Sequence, residues 1–577
     1  MASRHGSVHV ATTSRTYKGK LYQTHLLRRS FRVGSQVRHE TLGNISHLPP
    51  ELIEIIRRRL AGEQFVAASD AFRIERNLPH GHVQAVLGVI GRLRLDSLLA
   101  SKPSRQRDLV LAMIAERILH PCSKLATTRL WHTTTLAEEL QVADATEDDL
   151  YKAMDWLLQR QPLIEKKLAQ RHLRNGSLVL YDVSSSYYEG HTCPLARHGH
   201  NRDGKRGLPV IVYGLLTDGE GRPVAIDVYA GNTGDPTTVP DQVDKLRQRF
   251  GLDRVVLVGD RGMLTEAQIG ALKQHPGLGW ISALRGPAIR ELVDGESLQM
   301  SLFDKTNLAE IASPDYPGER LVACFNPLLA DERRRKRVEL IEATEKELAK
   351  IAAEVKRRTR TPLKQTEIAL KAGKVLNRFK VAKHFALTIA DGVFSWSRRE
   401  QSIQRESQLD GVYVVRTSEP KSRCSAPDAV RRYKSLAQVE RAFRSLKGID
   451  LRIRPIHHRT EDHVRAHILL CMLAFYVEWH MRRDLAPLLF QDEELGRDRK
   501  RRDPVAPAAC SASTLAKKID RVTADGFPVH SFQTLLEELA TRCRNTCRAA
   551  SATDSPSFHQ LTELTPLQSR AFHLLGL

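Results

Sequence analysis

Hydrophobic and polar positions change their spacing several times along the chain, and each change marks a different kind of element. Leu21 to Leu27 and Gln36 to Leu42 alternate on either side of Val33-Gly34-Ser35, which predicts a β-hairpin. Pro49 and Pro50 end it, and Glu51 to Leu60 reads as a short helix with Pro50 near its first turn. From 64 to 175 the period is helical: Val83, Val86, Leu87, Ile90 and Leu93 fall on one stripe, Leu109, Leu111, Ile114 and Ile118 on another. A third helix is predicted from Asp148 through Met154, Leu157 and Leu158 to Pro162.

At 176 the pattern turns to strands. Ser177 to Tyr181 is a short apolar strand ending in Asp182, Pro209 to Leu216 a second and Val224 to Ala230 a third, with Asp218-Gly219-Glu220-Gly221 as the tight turn between the last two. A helical stretch, Val239 to Phe250, leads to a fourth strand, Arg254 to Val258, that delivers Asp260. A long interruption follows. Trp280 to Leu284, Arg320 to Phe325, Phe385 to Ile389 and Gly411 to Val415 read as strands. Asp331 to Arg358 and a second helix ending near Phe379 read as a helical hairpin broken at Pro362. Helices return at Tyr433 to Lys447 and His463 to Trp479; Arg497 to Arg502 reads as an exposed basic linker, and Ser531 to Arg544 as a last helix. The expected organisation is α/β with six parts: a basic hairpin region (1–63), a helical DNA-binding or dimerisation domain (64–175), a core in two pieces (176–270 and 431–486), an α+β insertion between them (271–430), and a basic linker with a helical tail (487–577).

Charge narrows the partners. Lys plus Arg number 89 against 67 acids, a net charge of +22, and the first 40 residues hold eight Lys/Arg and one acid, Glu40. A polyanion is therefore expected as partner, nucleic acid before an acidic membrane surface. The longest apolar run, about Ala466 to Val477, is too short to span a bilayer, and the first ten residues lack a signal-peptide core, so neither membrane insertion nor secretion is expected. Eight scattered cysteines without a C-x-x-C pair fit a reducing compartment; Cys543 and Cys547 are placed on one helix face, without the further ligands a zinc site needs.

Two acids stand out by position. Asp182 and Asp260 each end a buried strand; two such strands can lie side by side and bring both carboxylates within reach of one cation at a sheet edge, and Mg²⁺ needs few protein oxygens when substrate phosphate supplies others. The plain alternative is that each caps a strand or turn. Glu440 shares a helix face with Tyr433, Arg444 and Lys447, a set suited to a metal–phosphate centre; the plain alternative is a surface Glu440–Arg444 pair of a few tenths of a kcal/mol. Residue types alone leave both pairs of readings open.

The order of strands, acids, insertion and helix resembles the RNase H-like core of DDE transposases. The segment YKSLAQVERAFRSLKG resembles the signature Y-x2-R-x3-E-x6-K of bacterial insertion-sequence transposases: Tyr433, Glu440 and Lys447 match, and Leu436 replaces the Arg. LYDVSSSYYEG, HGHNRDGKRGLPVIVYGLLTDGEGRPVAIDVYAGNTGD, VVLVGDRGML and LRIRPIHHRTEDHVRAHILLCMLAFYVEWH are also similar to this family, so the resemblance spans roughly 15 to 480. It implies that Asp182, Asp260 and Glu440 are catalytic and hold two Mg²⁺ ions about 3.5–4 Å apart, with Mn²⁺ as a substitute. Water attacks at the transposon end, and the freed 3′-OH then attacks target DNA without a covalent protein intermediate. The implied partners are double-stranded DNA, both terminal inverted repeats and target, and a second copy of the chain in the DNA complex. The implied location is the bacterial cytoplasm, at the nucleoid.

Tyr433, Arg444 and Lys447 are expected on DNA phosphates, with Arg444 replacing the Arg missing at Leu436. Arg202, Lys205 and Arg206, in the basic loop 198–206, are expected near the scissile DNA. Trp280 and Trp396 are candidates for stacking an extruded base, with core packing as the competing reading. Asn232 and Thr233 shape a turn, His467 is a core histidine, and Ser184-Ser185-Ser186 is not read as a nucleophile. Three other functions compete. One is a domesticated DNA-binding protein without catalysis, and another a nuclease on the same core without strand transfer. The third, a two-carboxylate glycosidase, has no use for the +22 charge.

Overall fold

The computed structural model describes residues 6–63, 65, 71–304, 306–549 and 556–577. Residue 64, where the helical domain was expected to begin, lies outside the described residues. The chain forms two compact units, Met1–Asn77 with Arg544–Thr562, and Leu78–Cys543 with Glu563–Leu577.

The smaller unit begins with three antiparallel strands rather than a two-stranded hairpin: β1 (Ser7–Tyr17), β2 (Lys20–Val33) and β3 (Gln36–Asn44), in the order β1-β2-β3. The first strand escapes the pattern because its polar Thr and Ser residues carry no hydrophobic alternation, although Thr suits a pleated surface. Lys18 and Gly19, both at positive φ, make the tight β1–β2 connection. A further strand, β4 (Phe72–Pro79), belongs to a second three-stranded sheet.

In the larger unit the chain first builds helices. Arg105–Leu119 is buried over nearly its whole length, and Glu147–Gln159 starts with a capping box, in which the Thr146 hydroxyl meets the Asp149 N–H and the Asp149 carboxylate meets the Thr146 N–H. The main sheet follows, with strands β5 (Ser177–Tyr187), β6 (Val210–Asp218), β7 (Pro223–Ala230), β8 (Val255–Val258), β9 (Leu278–Ala283), β10 (Leu308–Ile311) and β11 (Arg320–Phe325). The strands β12 (Phe385–Ala390) and β13 (Val393–Arg398) pair only with each other, and β14 (Val412–Thr417) returns to the main sheet. The order is β10-β11-β14-β9-β8-β5-β6-β7, eight strands in a mixed sheet: β5, β6 and β7 are antiparallel neighbours, while β8 runs parallel to both β5 and β9. Thus β9, β10, β11 and β14, all within the 271–430 stretch read as an insertion, are hydrogen-bonded into the main sheet. A separate small core forms from the Pro327–Arg357 and Gln365–Phe379 helices with β12 and β13. The sequence pattern shows each strand but not its partner, which is a long-range property.

The helix Glu461–Asp484 is buried on nearly every side, against β7 and the Arg105–Leu119 and Glu147–Gln159 helices. No described helix is long and apolar enough to cross a membrane. The basic stretch Arg497–Arg502 carries a short helix, Leu495–Arg501, and Arg502 pairs with Asp498 at 3.0 Å. One further expectation is corrected. The helix expected over Ser531–Arg544 stops at Ala540, and Cys543 and Cys547 lie on strand β15 (Cys543–Ala549), which pairs with β16 (Phe558–Leu561) and completes the β16-β15-β4 sheet. Alternating short polar residues in CRNTCRA suit a strand, and the four-residue Cys spacing fits either periodicity.

Candidate active site

Strand register brings the two aspartates to one edge. In the parallel pair β5–β8, Leu180 lies opposite Val258. Two residues beyond that last pair along each chain comes an Asp, Asp182 still on β5 and Asp260 past the end of β8, close enough for Asp260 to raise the Asp182 carboxyl. One expectation changes here. Strand β5 does not end at Asp182 but continues to Tyr187, paired with β6 alone, so Asp182 sits where β8 stops rather than at its own strand's end. Asp182 Oδ1 accepts the Val183 N–H at 2.8 Å. Asp260 is exposed and its Oδ2 accepts the Gly262 N–H at 3.2 Å.

Glu440 arrives from the helix Ala437–Lys447. Val439, Ala442, Phe443 and Leu446 bury one face of it, with Phe443 edge-on to Tyr213 of β6 at 5.8 Å. That packing turns Glu440 and Arg444 outward, and both are exposed. The helix does not include Tyr433, which belongs to the preceding helix Ala426–Lys434; the chain turns at Ser435–Leu436. Tyr433 nevertheless reaches the site, its hydroxyl donating to Asp260 Oδ1 at 3.4 Å. Leu436 is buried at the head of the Glu440 helix, as its place in the apolar stripe requires.

Asp182 senses the other two acids. The Asp182 carboxyl is pushed up to about 7, chiefly by burial, with Asp260 and Glu440 adding to the rise and Arg202 opposing it. Burial, then Asp260, raises the Tyr433 phenol beyond its ordinary range, so it remains a hydrogen-bond donor. Among the described residues no three His, Cys, Asp or Glu side chains close into a ready-made metal cage. Separated carboxylates of this kind suit a hard cation that keeps waters and shares substrate oxygens, rather than a closed structural site.

The other expected residues have different surroundings. Arg444 makes no hydrogen bond or ion pair with any described residue, so the Glu440–Arg444 surface pair is not formed. Lys447 is committed within the protein: its Nζ donates to Ser185 O at 2.6 Å and to Asp203 Oδ1 at 3.1 Å. Arg202 is held by Asp235 at 2.6 and 2.5 Å. Lys205 lies 4.3 Å from the Tyr187 ring centroid and 3.8 Å from Glu189, and Arg206 is exposed. Trp396 on β13 is half-buried against Phe394, 5.9 Å between rings, and Trp280 on β9 is a core residue. The serines are engaged, Ser185 Oγ with His200 O at 2.9 Å and Ser186 Oγ with the Tyr213 hydroxyl at 2.8 Å. His467 Nε2 donates to Ile453 O at 3.1 Å, and the Thr233 N–H closes a turn on Ala230 O.

One residue of the site went unread in the sequence. Asp203, a lone acid in the basic loop HGHNRDGKR, has a nearly buried side chain that takes Lys447, Arg454 and the Tyr187 N–H at 3.1 Å. An acid isolated among cations was the available signal.

The model of the transposase DDE domain matches residues 176–477, more than half of the 577-residue chain. The chain belongs to the DDE transposase family. The model of the IS1634 family transposase N-terminal domain matches residues 10–70 of this transposase. No curated protein matches the chain. Among solved structures, it is similar to a piggyBac transposase in a cryo-EM synaptic complex with hairpin DNA, at 9% identity and a TM-score of 0.27, over 77% of this chain and 90% of that one. So loose a likeness carries no argument about geometry. Family membership makes the protein a DNA-binding enzyme that cleaves DNA and transfers strands in the movement of an insertion sequence, in a family that generally uses divalent metal ions.

Proposed function

We propose that this transposase cuts at the ends of its element and joins them to target DNA through a catalytic centre made of Asp182, Asp260 and Glu440. The observation that carries the reading is the β5–β8 pairing, which ends two residues before each aspartate, together with the share of the Asp182 rise that Asp260 and Glu440 add to that of burial. Three antiparallel strands followed by two parallel ones support an RNase H-like core, and β10, β11 and β14 extend its sheet. In this reading the inserted part is the hairpin of long helices with β12 and β13, the helices before 176 and the basic β1–β3 sheet engage DNA or a second copy, and two copies act together on two ends at the bacterial nucleoid.

Asp182, Asp260 and Glu440 would hold Mg²⁺, two ions in each active site. The bound cations supply charge neutralisation at the scissile phosphate and an acidified water. The protein's own part is positional. The Ala437–Lys447 helix is fixed by its apolar face and fixes Glu440. Tyr433 orients Asp260 by donating its phenolic proton in a hydrogen bond. Lys447 and Asp203 tie the 198–206 loop to β5, holding Lys205 and Arg206 beside the centre. Arg444, outward and unpaired, is free to grip a phosphate with its two-pronged guanidinium. Incubating the protein with Mg²⁺ and DNA carrying the element's ends tests the reading. Joined product supports it, nicks without joining favour a nuclease, and binding alone indicates a domesticated DNA-binding protein.

A further inference from the structure

The larger unit contains a cavity of about 300 Å³ that none of Asp182, Asp260 or Glu440 lines. Its walls come from the Arg105–Leu119 helix and the loop after it, and from the stretch that follows the Glu440 helix. They include Arg117, Lys124, Arg452, Arg454, His457 and His458, and no carboxylate. Four cations and no acid around one small volume is an unusual lining, because a buried charge normally carries its counter-charge with it.

The cations are also short of partners. Lys124 is 4% exposed, yet its ammonium makes no hydrogen bond or ion pair with any described residue. Arg117 is 6% exposed; it donates Nη2 to Cys122 O at 3.2 Å, and its buried Nε has no partner. Arg452 is exposed and likewise free of described partners. Only Arg454 is neutralised, by Asp203. Glu116, next to Arg117 in the chain, is buried and outside the lining, and burial pushes its carboxyl up to about 7, so it is a partial counter-charge. Burial, then Arg117, brings the Lys124 ammonium down to about 7, although Glu116 partly opposes the drop.

We propose that this cavity is a phosphate-binding site, with Lys124 and Arg117 as its buried cations, Arg452 closing it from the solvent side, and the imidazoles of His457 and His458 as hydrogen-bonding walls. Guanidinium forks and an ammonium match the tetrahedral oxygens of phosphate, and the volume is at the lower limit of ligand cavities, room for a phosphate with little attached. The phosphate can come from a DNA strand or from a free small molecule. The site is independent of the carboxylate assignment.

The test is calorimetric titration of the full-length protein with inorganic phosphate, in metal-free buffer at constant ionic strength, with chloride as the reference anion. Saturable binding is expected, weakened tenfold or more by Lys124→Met and by Arg452→Ala and unchanged by Arg378→Ala, an exposed residue of the inserted helices. Arg452 is exposed, so its variant keeps the test open should Lys124→Met fold poorly. Absence of saturable binding, or affinity unchanged in the Arg452→Ala protein, overturns the proposal. A second titration, with the protein saturated by duplex DNA, separates the sources. Loss of phosphate binding identifies a DNA phosphate as the occupant, and retained binding a free phosphate compound. Both outcomes support the site.

Discussion

The clasp between Lys447 and Asp203 offers a sharp test, because the family signature leads to a different expectation for Lys447. Asp203→Asn keeps shape and can still accept the Tyr187 N–H, but it removes the charge facing Lys447 and Arg454. Their side chains are 11% and 30% exposed, and that of Asp203 2%. Breaking a fully buried pair costs about 3–5 kcal/mol, and partial exposure of the two cations reduces the expected loss to about 2–3 kcal/mol. Lys447→Met should cost less, because it leaves Asp203 still paired with Arg454. Combining the two changes should then reveal a coupling of about 1 kcal/mol or more. Denaturant titrations of the single and double variants, followed by Trp fluorescence, measure it. A parallel assay records end binding against salt. A lysine on a DNA phosphate contributes about 0.9 to the log–log slope, whereas an internal anchor contributes nothing. Coupling below about 0.3 kcal/mol, with a slope reduced by about 0.9 in Lys447→Met, would refute the anchoring role.

Arg444→Lys keeps the charge but loses the fork, so strand transfer should fall roughly tenfold, equivalent to about 1.4 kcal/mol, with melting unchanged; wild-type transfer would rule out the phosphate clamp. Replacing the exposed Arg15, Arg32 and Arg38 of the β1–β3 sheet with Ala should lower the salt slope of end binding by about 0.9 for each phosphate no longer neutralised, and an unchanged slope would move end recognition elsewhere. Glu478 is fully buried beside Arg482, 2.5 Å away, and burial raises its carboxyl to about 7. The native state therefore holds its proton where the unfolded chain has released it. Stability should fall as pH rises from about 4.5 to 7 and then level off. Glu478→Gln should flatten that segment in pH-dependent denaturation, and an identical slope in both proteins would contradict the shift.

What the sequence made legible follows from the range of each signal. Apolar runs such as Val255–Val258 and the 3-4-3 stripe of Leu436, Val439, Phe443 and Leu446 are local, so strands β5–β9, β11, β12 and β14 and the Glu440 helix could be read directly. Sheet membership was not local. Nothing near Arg320–Phe325 says that it pairs with Val412–Thr417 across the inserted helices, or that both join the sheet bearing Asp182. Polar strands β1 and β15 lacked the alternation that would reveal them. At the candidate site, the positions of Asp182, Asp260 and Glu440 relative to strands and helix could be counted along the chain, but singling them out as a set rested on the family resemblance, since β5 runs on past Asp182 and Tyr433 lies on a separate helix from Glu440. The partners of Lys447 and Arg202 were not, since Asp203 and Asp235 reach them only through the folded loop.

The proposed chemistry depends on the three carboxylates. The most direct measurement is strand transfer by Asp182→Asn, Asp260→Asn and Glu440→Gln in Mg²⁺, each protein first shown to fold and to bind end DNA. Each amide removes ligand charge with little change of shape, and joining should drop by at least ~10²-fold while end binding is retained. Joining at near wild-type rate by any one of the three, in particular Asp182→Asn, would contradict the assignment.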